Sequence, residues 1–310
     1  MTRGVSLPAL AAVVCWAAMA PFAKYAFDSF SADAYLGLRP IIATIAAFAV
    51  LAARGVPLRI NRAAWPRLVL CGAIGYGIAQ IGFVKGLDLT SVSHHSVLVS
   101  TSPLISALIL PILHRNPQHG PGLAGMLLGF AGVALLVGGG GTAGSSIGGD
   151  LFVLLSAAVW VGATIWPIPL MARYGVETVN AWMLAVSLLV VIPLTAPALK
   201  DVAVHPPGWV AWAAVAYGGI VGVLLGNVLW HRAVREAGLD TAMVYQYLTP
   251  LLSLALAIAF LGERPTVIQG IGSILILAGV AIVRSRQARE ATAESPAQEV
   301  EREVLIAAEA

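Results

Sequence analysis

Two adjacent imidazoles, His94 and His95, stand in the stretch DLTSVSHHSVLVSTSP, residues 88–103, at the start of an apolar run. Imidazoles so placed can ligate a metal, carry a proton, contact a solute or mark a boundary with water. Helical spacing puts His95, Val99 and Ser102 on one face, and in a later run the matching face carries Ala242, Gln246 and Thr249, flanked by Tyr245 and Tyr247. Ser102 and Thr249 each precede a proline, Pro103 and Pro250. Trp16 and Trp160 occupy matched positions, with Thr164 one turn beyond Trp160; Gln80 and Asn227 form another matched pair, with His231 one turn beyond Asn227. These groups offer hydrogen bonds and flat aromatic faces, the chemistry of holding a solute. Metal sites need several converging ligands, and no second histidine or carboxylate cluster accompanies His94 and His95, so no metal and no cofactor is expected.

The surroundings of these residues are apolar throughout. Of 310 residues 59% are hydrophobic and 11% charged, and the mean hydropathy is +0.87, which describes an integral membrane protein. The net charge of +3 is small and the arginines sit in short connecting stretches, which argues against nucleic acid as a partner. Cys15 and Cys71 lie in apolar runs without metal-ligand or redox spacing and are expected to be reduced, structural thiols. Arg3 and the segment Ala18-Met19-Ala20 imitate a signal peptide and its cleavage site, but Pro21 would follow the cut, so the segment reads as a retained first helix.

A helix needs about twenty apolar residues to span the hydrocarbon core. Runs of that length fall near 6–27, 32–53, 66–87, 92–113, 121–140, 150–172, 178–199, 208–231, 239–261 and 266–284. They are too long and continuous for barrel strands, so the expected fold is an all-α membrane protein with ten transmembrane helices. Arginines concentrate in alternate connections, at 54, 59, 62 and 67, then 115, 173, 232 and 235, and finally 284, 286 and 289. By the positive-inside rule both termini face the cytoplasm.

The two halves resemble each other. WAAMAPFAK from Trp16 matches WVGATIWPI from Trp160 at an offset of 144, and GMLLGFAGVALLV from Gly125 matches GSILILAGVAIV from Gly272 at 147. Five helices repeated once give two inverted five-helix repeats, because an odd number of spans turns the second copy over. The expected division is a first repeat over 1–140, a Gly-rich linker over 141–149, a second repeat over 150–285 and a polar cytoplasmic tail over 286–310. The linker lacks the Gly-Lys-Ser/Thr ending of a phosphate-binding loop.

Trp16 with Lys24 eight residues later, Arg39, Pro103, Pro250, and FLGERPTVIQGIGSILILAGVAIV from Phe260 together resemble the EamA-type transporters of the drug/metabolite transporter superfamily. The resemblance covers roughly residues 6 to 285. Its Gly-Glu-Arg turn is intact in the second half and degenerate in the first, LHRNPQHG. What the resemblance implies is solute transport with ten helices and no enzymatic activity; relatives of this kind commonly move amino acids out of bacteria, and some import vitamins.

Inverted repeats place a binding site near the bilayer midplane, between the halves. The candidate substrate-binding residues are Trp16, Gln80, His95, Ser102, Trp160, Thr164, Asn227, Tyr245, Gln246 and Thr249, with Pro103 and Pro250 bending the fourth and ninth helices. Each has a structural alternative: Ser102 and Thr249 satisfying backbone carbonyls, the tryptophans packing, Gln80 and Asn227 bonding each other, His94 and His95 marking the interface. Arg39, inside a span where a charge costs about 2.5 to 3.5 kcal/mol on insertion scales, reads as a structural residue capping carbonyls or pairing with Asp28 or Asp33, the anchoring of a substrate carboxylate being the alternative. Lys24 and Lys85 read as snorkelling. Gly218, Gly222 and Gly226 read as a close-packing stripe, and Gly125, Gly129, Gly272 and Gly279 as scaffold contacts. The expected function is a secondary transporter of the bacterial inner membrane exporting amino acids or related small polar metabolites. Import of a vitamin or aromatic metabolite is the alternative, with an intramembrane metal-dependent enzyme far behind. The expected partners are a small-molecule substrate and the lipid bilayer, and a homodimer stays open. For proton coupling the evident titrating groups are His94, His95 and His231.

Overall fold

The computed structural model of the chain describes residues 6–99, 101, 102, 104–106, 121–138, 146–204, 206–238, 242, 245, 246, 248–264, 266–268, 270–279, 281, 282 and 285. Pro103, Tyr247, most of the expected linker and the tail lie outside the described residues. Every regular element among those described is helical, as apolar surroundings require of a backbone that must satisfy its own hydrogen bonds. We number the helices α1 (Leu7–Phe27), α2 (Ala32–Ala53), α3 (Arg62–Asp88), α6 (Ile147–Tyr174), α7 (Val176–Val204) and α8 (Trp209–Ala237), each long and apolar enough to cross a membrane. Shorter described helices are α4 (Val92–Val99), α5 (Pro121–Gly138), α9 (Leu248–Leu261) and α10 (Gly270–Gly279). The last four fall within the other expected spans.

Local chemistry sets where helices start and break. Ser31 and Ser146 accept hydrogen bonds from the amides of Ala34 and Gly149 and so cap α2 and α6. The helix that Ser146 caps begins at Ile147, so the last residues of the expected linker are already α6. Helix α1 breaks between Ala17 and Met19 and α6 breaks between Ile165 and Ile168. Pro21 and Pro167 cause this, since neither can donate to the carbonyl four residues earlier. The freed oxygens find other neighbours: Ser253 Oγ donates to Ala17 O at 2.5 Å, and His231 Nε2 faces Ala163 O at 3.3 Å.

Helices α3 and α8 each contain a wide π-helical segment, Cys71–Ile78 and Tyr217–Leu225. Both are glycine-rich, and the glycines admit neighbouring helices closely. A Cβ on Gly75 would stand 2.9 Å from Ala163 Cβ, and one on Gly222 would stand 2.5 Å from Met19 Cγ. Thus α3 packs on α6 and α1 on α8, while α2 runs along α7, and α4 lies against α6 and α9. The glycines expected to pack scaffold helices do so: a Cβ on Gly279 would meet Gly125 O at 2.5 Å, which brings α10 onto α5.

Polar ties close the two ends of the bundle. At one end Lys24 Nζ donates to Leu87 O at 2.8 Å and Asp88 O at 3.3 Å, Lys85 pairs with Asp33 at 2.5 Å, and Ser146 N donates to Leu89 O at 3.0 Å. Lys24 and Lys85 are therefore tied to neighbouring helices, in place of the free snorkelling expected. At the same end Glu263, in the Gly-Glu-Arg turn, accepts from Val92 N at 2.8 Å and Ser93 N at 2.9 Å, and from the Ser93 hydroxyl. A carboxylate on the first amides of α4 also meets the positive end of its dipole. At the other end Arg67 Nε donates to Trp166 O at 2.9 Å, Trp182 Nε1 to Leu58 O at 2.9 Å, and Arg232 pairs with Glu177.

Glu263→Ala removes a charged acceptor from two amides at once. The expected loss is about 1.5 to 3 kcal/mol of stability, measured as a lower thermal unfolding midpoint in detergent, with Glu263→Gln losing less.

Candidate functional site

The breaks and wide turns converge on a cavity of about 100 Å³. Its lining includes Trp16, Gln80, His95, Ser102, Trp160, Asn227, Gln246 and Thr249. Two expected site residues are elsewhere. Thr164, fully buried, donates to Trp160 O at 3.1 Å and accepts from Trp230 Nε1 at 3.2 Å, so it holds the helix break and a packed indole. Tyr245 accepts from the Ser6 amide at 2.8 Å with its hydroxyl, tying the start of α1 to the approach of α9.

One wall is aromatic. The rings of Trp16 and Trp160 meet edge to face at 5.4 Å, Trp16 lies 5.3 Å from Trp230, and Tyr76 stacks on Trp160 at 6.3 Å. Trp16 Nε1 donates to Gly222 O at 3.1 Å, in the wide segment of α8, so the indole is fixed at both its face and its edge. On the far side Phe83 packs edge to face with His95 at 4.5 Å. His95 Nε2 lies 3.2 Å from Phe83 O; a carbonyl only accepts, so this nitrogen carries the proton. Both histidines of the opening pair are buried among the helices, His94 at 2% and His95 at 1% exposure.

Gln80 and Asn227 each stand two residues after a wide segment, at Ile78 and at Leu225. They do not satisfy one another. Gln80 Oε1 accepts from the Arg39 guanidinium, and Asn227 Nδ2 is buried without a hydrogen-bond partner. Arg39 corrects a second expectation: it pairs with neither Asp28 nor Asp33, because Asp33 belongs to Lys85. It is fully buried, sandwiched at 5.2 Å from the Tyr35 ring and 5.4 Å from that of Phe83, and its Nε and Nη1 have no hydrogen-bond partner. A guanidinium only donates, so it fixes the orientation of the Gln80 amide and leaves the Nε2 donors of Gln80 uncommitted to it.

Acceptors line the rest. Ser102, Ser156 and Ser253 spend their hydroxyl protons on Val99 O, Ala79 O and Ala17 O, at 2.8, 2.7 and 2.5 Å, which leaves their oxygens able to act as acceptors. For Ser102 the backbone bond and a place in the lining coexist, so its two readings are not exclusive. Thr249 Oγ1 is buried without a partner. Phe83, Ser156 and Ser253 were not among the expected residues. Only their register one turn from Gln80, Trp160 and Thr249 could have indicated them.

A helical bundle of membrane-crossing length, broken at prolines around an aromatic and amide-lined cavity, is the build of a membrane solute carrier. The sequence pattern of the EamA-like transporter family matches residues 4–138 and again residues 147–285, and the chain belongs to that family of transporters. It is 30% identical over 229 residues to an uncharacterised transporter of Archaeoglobus fulgidus, covering 72% of this chain and 77% of that one. It is 27% identical over 278 residues to a protein of Streptantibioticus cattleyicolor named "probable terminal-alkyne amino-acid exporter", covering 88% and 91% of the two chains. A solved crystal structure superposes with a TM-score of 0.63 at 24% identity, covering 92% of this chain and 97% of that one, and so shares its fold.

Removing Gln80 strands the Arg39 charge. Gln80→Leu is expected to lower stability by about 3 to 5 kcal/mol, and Arg39→Met with Gln80→Leu to recover most of it. Unfolding midpoints of the two single variants and the double variant, combined as a cycle, measure the coupling.

Proposed function

We propose that the chain is a secondary transporter of the inner membrane that exports amino acids or related small polar metabolites, alternating access around the cavity between two inverted five-helix repeats. The observation that carries this reading is the cavity's polarity. Amide donors from Gln80 and Asn227, with the Arg39 charge behind Gln80, suit a carboxylate. Serine and threonine oxygens suit an ammonium group, and the tryptophan wall suits an apolar side chain. A zwitterion with a modest side chain offers all three. The name of the Streptantibioticus relative agrees with this class.

The repeat reading draws support from features at one offset: the helix breaks at Pro21 and Pro167 and the wide segments beginning at Cys71 and Tyr217 are each 146 residues apart. In this arrangement residues 1–140 and 150–285 are the two repeats. The Lys24 end faces outward and the Arg67 and Arg232 end faces the cytoplasm, as the distribution of arginine favours.

The test is exchange of labelled amino acids across vesicles holding the purified chain, with L-propargylglycine, the common amino acids, vitamins and purines in one panel. Exchange of amino acids and not of the others is expected. A panel in which only vitamins or purines exchange, or nothing does, defeats the reading. Asn227→Leu removes an unpaired donor and is expected to raise the half-saturating amino acid concentration roughly 5- to 150-fold, the equivalent of about 1 to 3 kcal/mol.

A further inference from the structure

His94 and Asp150 face each other at 3.6 Å, Nε2 to Oδ1, with side chains 1% and 3% exposed. Neither ring nitrogen of His94 has a hydrogen-bond partner, and neither does that oxygen of Asp150. Most of the charged groups around them are already engaged. On α1 Lys24 is held by the carbonyls that end α3; on α3 Lys85 is paired with Asp33, and Asp88 lies at the same helix end. After α9 Glu263 caps α4, and Arg264 is exposed. On α4 itself His95 faces Phe83 O. The described part of α5 carries no charged residue.

Charge counting restricts what this pair can be. With one shared proton it is neutral, either as imidazolium and carboxylate or as imidazole and carboxylic acid. Without that proton a carboxylate is left buried with no cation, which is costly in apolar surroundings. The pair also bridges two helices that line the cavity: His95 and Val99 come from α4, and Ser156 and Trp160 from α6. Asp150 precedes Ser156 by six residues, about 9 Å along the helix. Any opening of the cavity between α4 and α6 toward this end parts His94 from Asp150 and admits water to both.

We propose that His94 and Asp150 form a single-proton site, so that passage of a solute through the cavity is linked to binding and release of one proton. The site holds its proton while α4 and α6 are together and exchanges it with bulk water when they part. The inference rests on the transporter reading and is independent of which solute is carried.

Two measurements test it. The first needs no solute: N,N′-dicyclohexylcarbodiimide adds to protonated carboxyl groups in apolar surroundings, and its adduct is mapped by peptide mass on the purified full chain. An adduct at Asp150 is expected, weakening as pH rises between about 5 and 8 and missing from Asp150→Asn; no adduct anywhere in that range overturns the site. The second uses vesicles and whichever amino acid of the panel exchanges, with L-propargylglycine tried first. A gradient of one pH unit is expected to drive up to about tenfold accumulation by the native chain, since each unit is a factor of ten in proton activity. Asp150→Asn and His94→Gln are expected to keep exchange without a gradient and to lose gradient-driven accumulation. Native exchange that ignores the gradient, or variants that accumulate as the native chain does, overturns the linkage. If no amino acid exchanges, the amino acid reading fails while the carbodiimide result still decides the proton site.

Discussion

The rest of the structure depends on one constraint: a carbonyl freed inside an apolar bundle has no water to turn to. Pro21 and Pro167 free two, and each is met by a side chain from a different helix, Ser253 on α9 and His231 on α8. Each break thereby becomes a place where helices distant in sequence must meet. The same constraint acts at the wide segments, where Trp16 reaches across to Gly222 O. The cavity lies among these compensations. Its polar lining is in part the set of groups recruited to repair the backbone, with their remaining lone pairs left over.

Charge follows the same logic with a different outcome. Lys24, Lys85, Arg232 and Glu263 are all answered by carbonyls, amides or opposite charges at the ends of the bundle. Arg39 is answered by one amide oxygen and two aromatic faces, and part of its hydrogen-bonding capacity stays unused. An incompletely answered cation behind a cavity leaves part of its positive field unspent there. Aromatic faces reduce the cost of that arrangement without cancelling the charge.

Much of this was legible in the sequence because membrane chemistry leaves plain marks. Apolar length marked the helices, and residues matched at offsets of 144 and 147 brought Trp16 with Trp160 and Gln80 with Asn227 to one lining. Tyr245 and Thr164 misled because helical spacing fixes a face but not what the face meets; a backbone amide and an indole had claimed them. Arg39 was assigned acids that are near in sequence, whereas its partner is 41 residues away. Asp150 went unnoticed for a definite reason: an acid in the first turn of a helix already has an ordinary explanation in the helix dipole. Its approach to His94 depends on Gly149 and Gly86 letting α6 close on the turn between α3 and α4, which no local pattern announces.

The cap on α4 has a consequence for how the chain is made. Glu263 is 171 residues beyond Val92, the amide it satisfies. A ribosome adding about 5 to 20 residues each second needs on the order of ten seconds or more to cover that distance. Throughout that interval α4 stands with its first amides open and its face toward α9 unmatched. The first half of this molecule is thus synthesised as an unfinished object, and whatever receives it in the membrane must shelter it until the second half arrives.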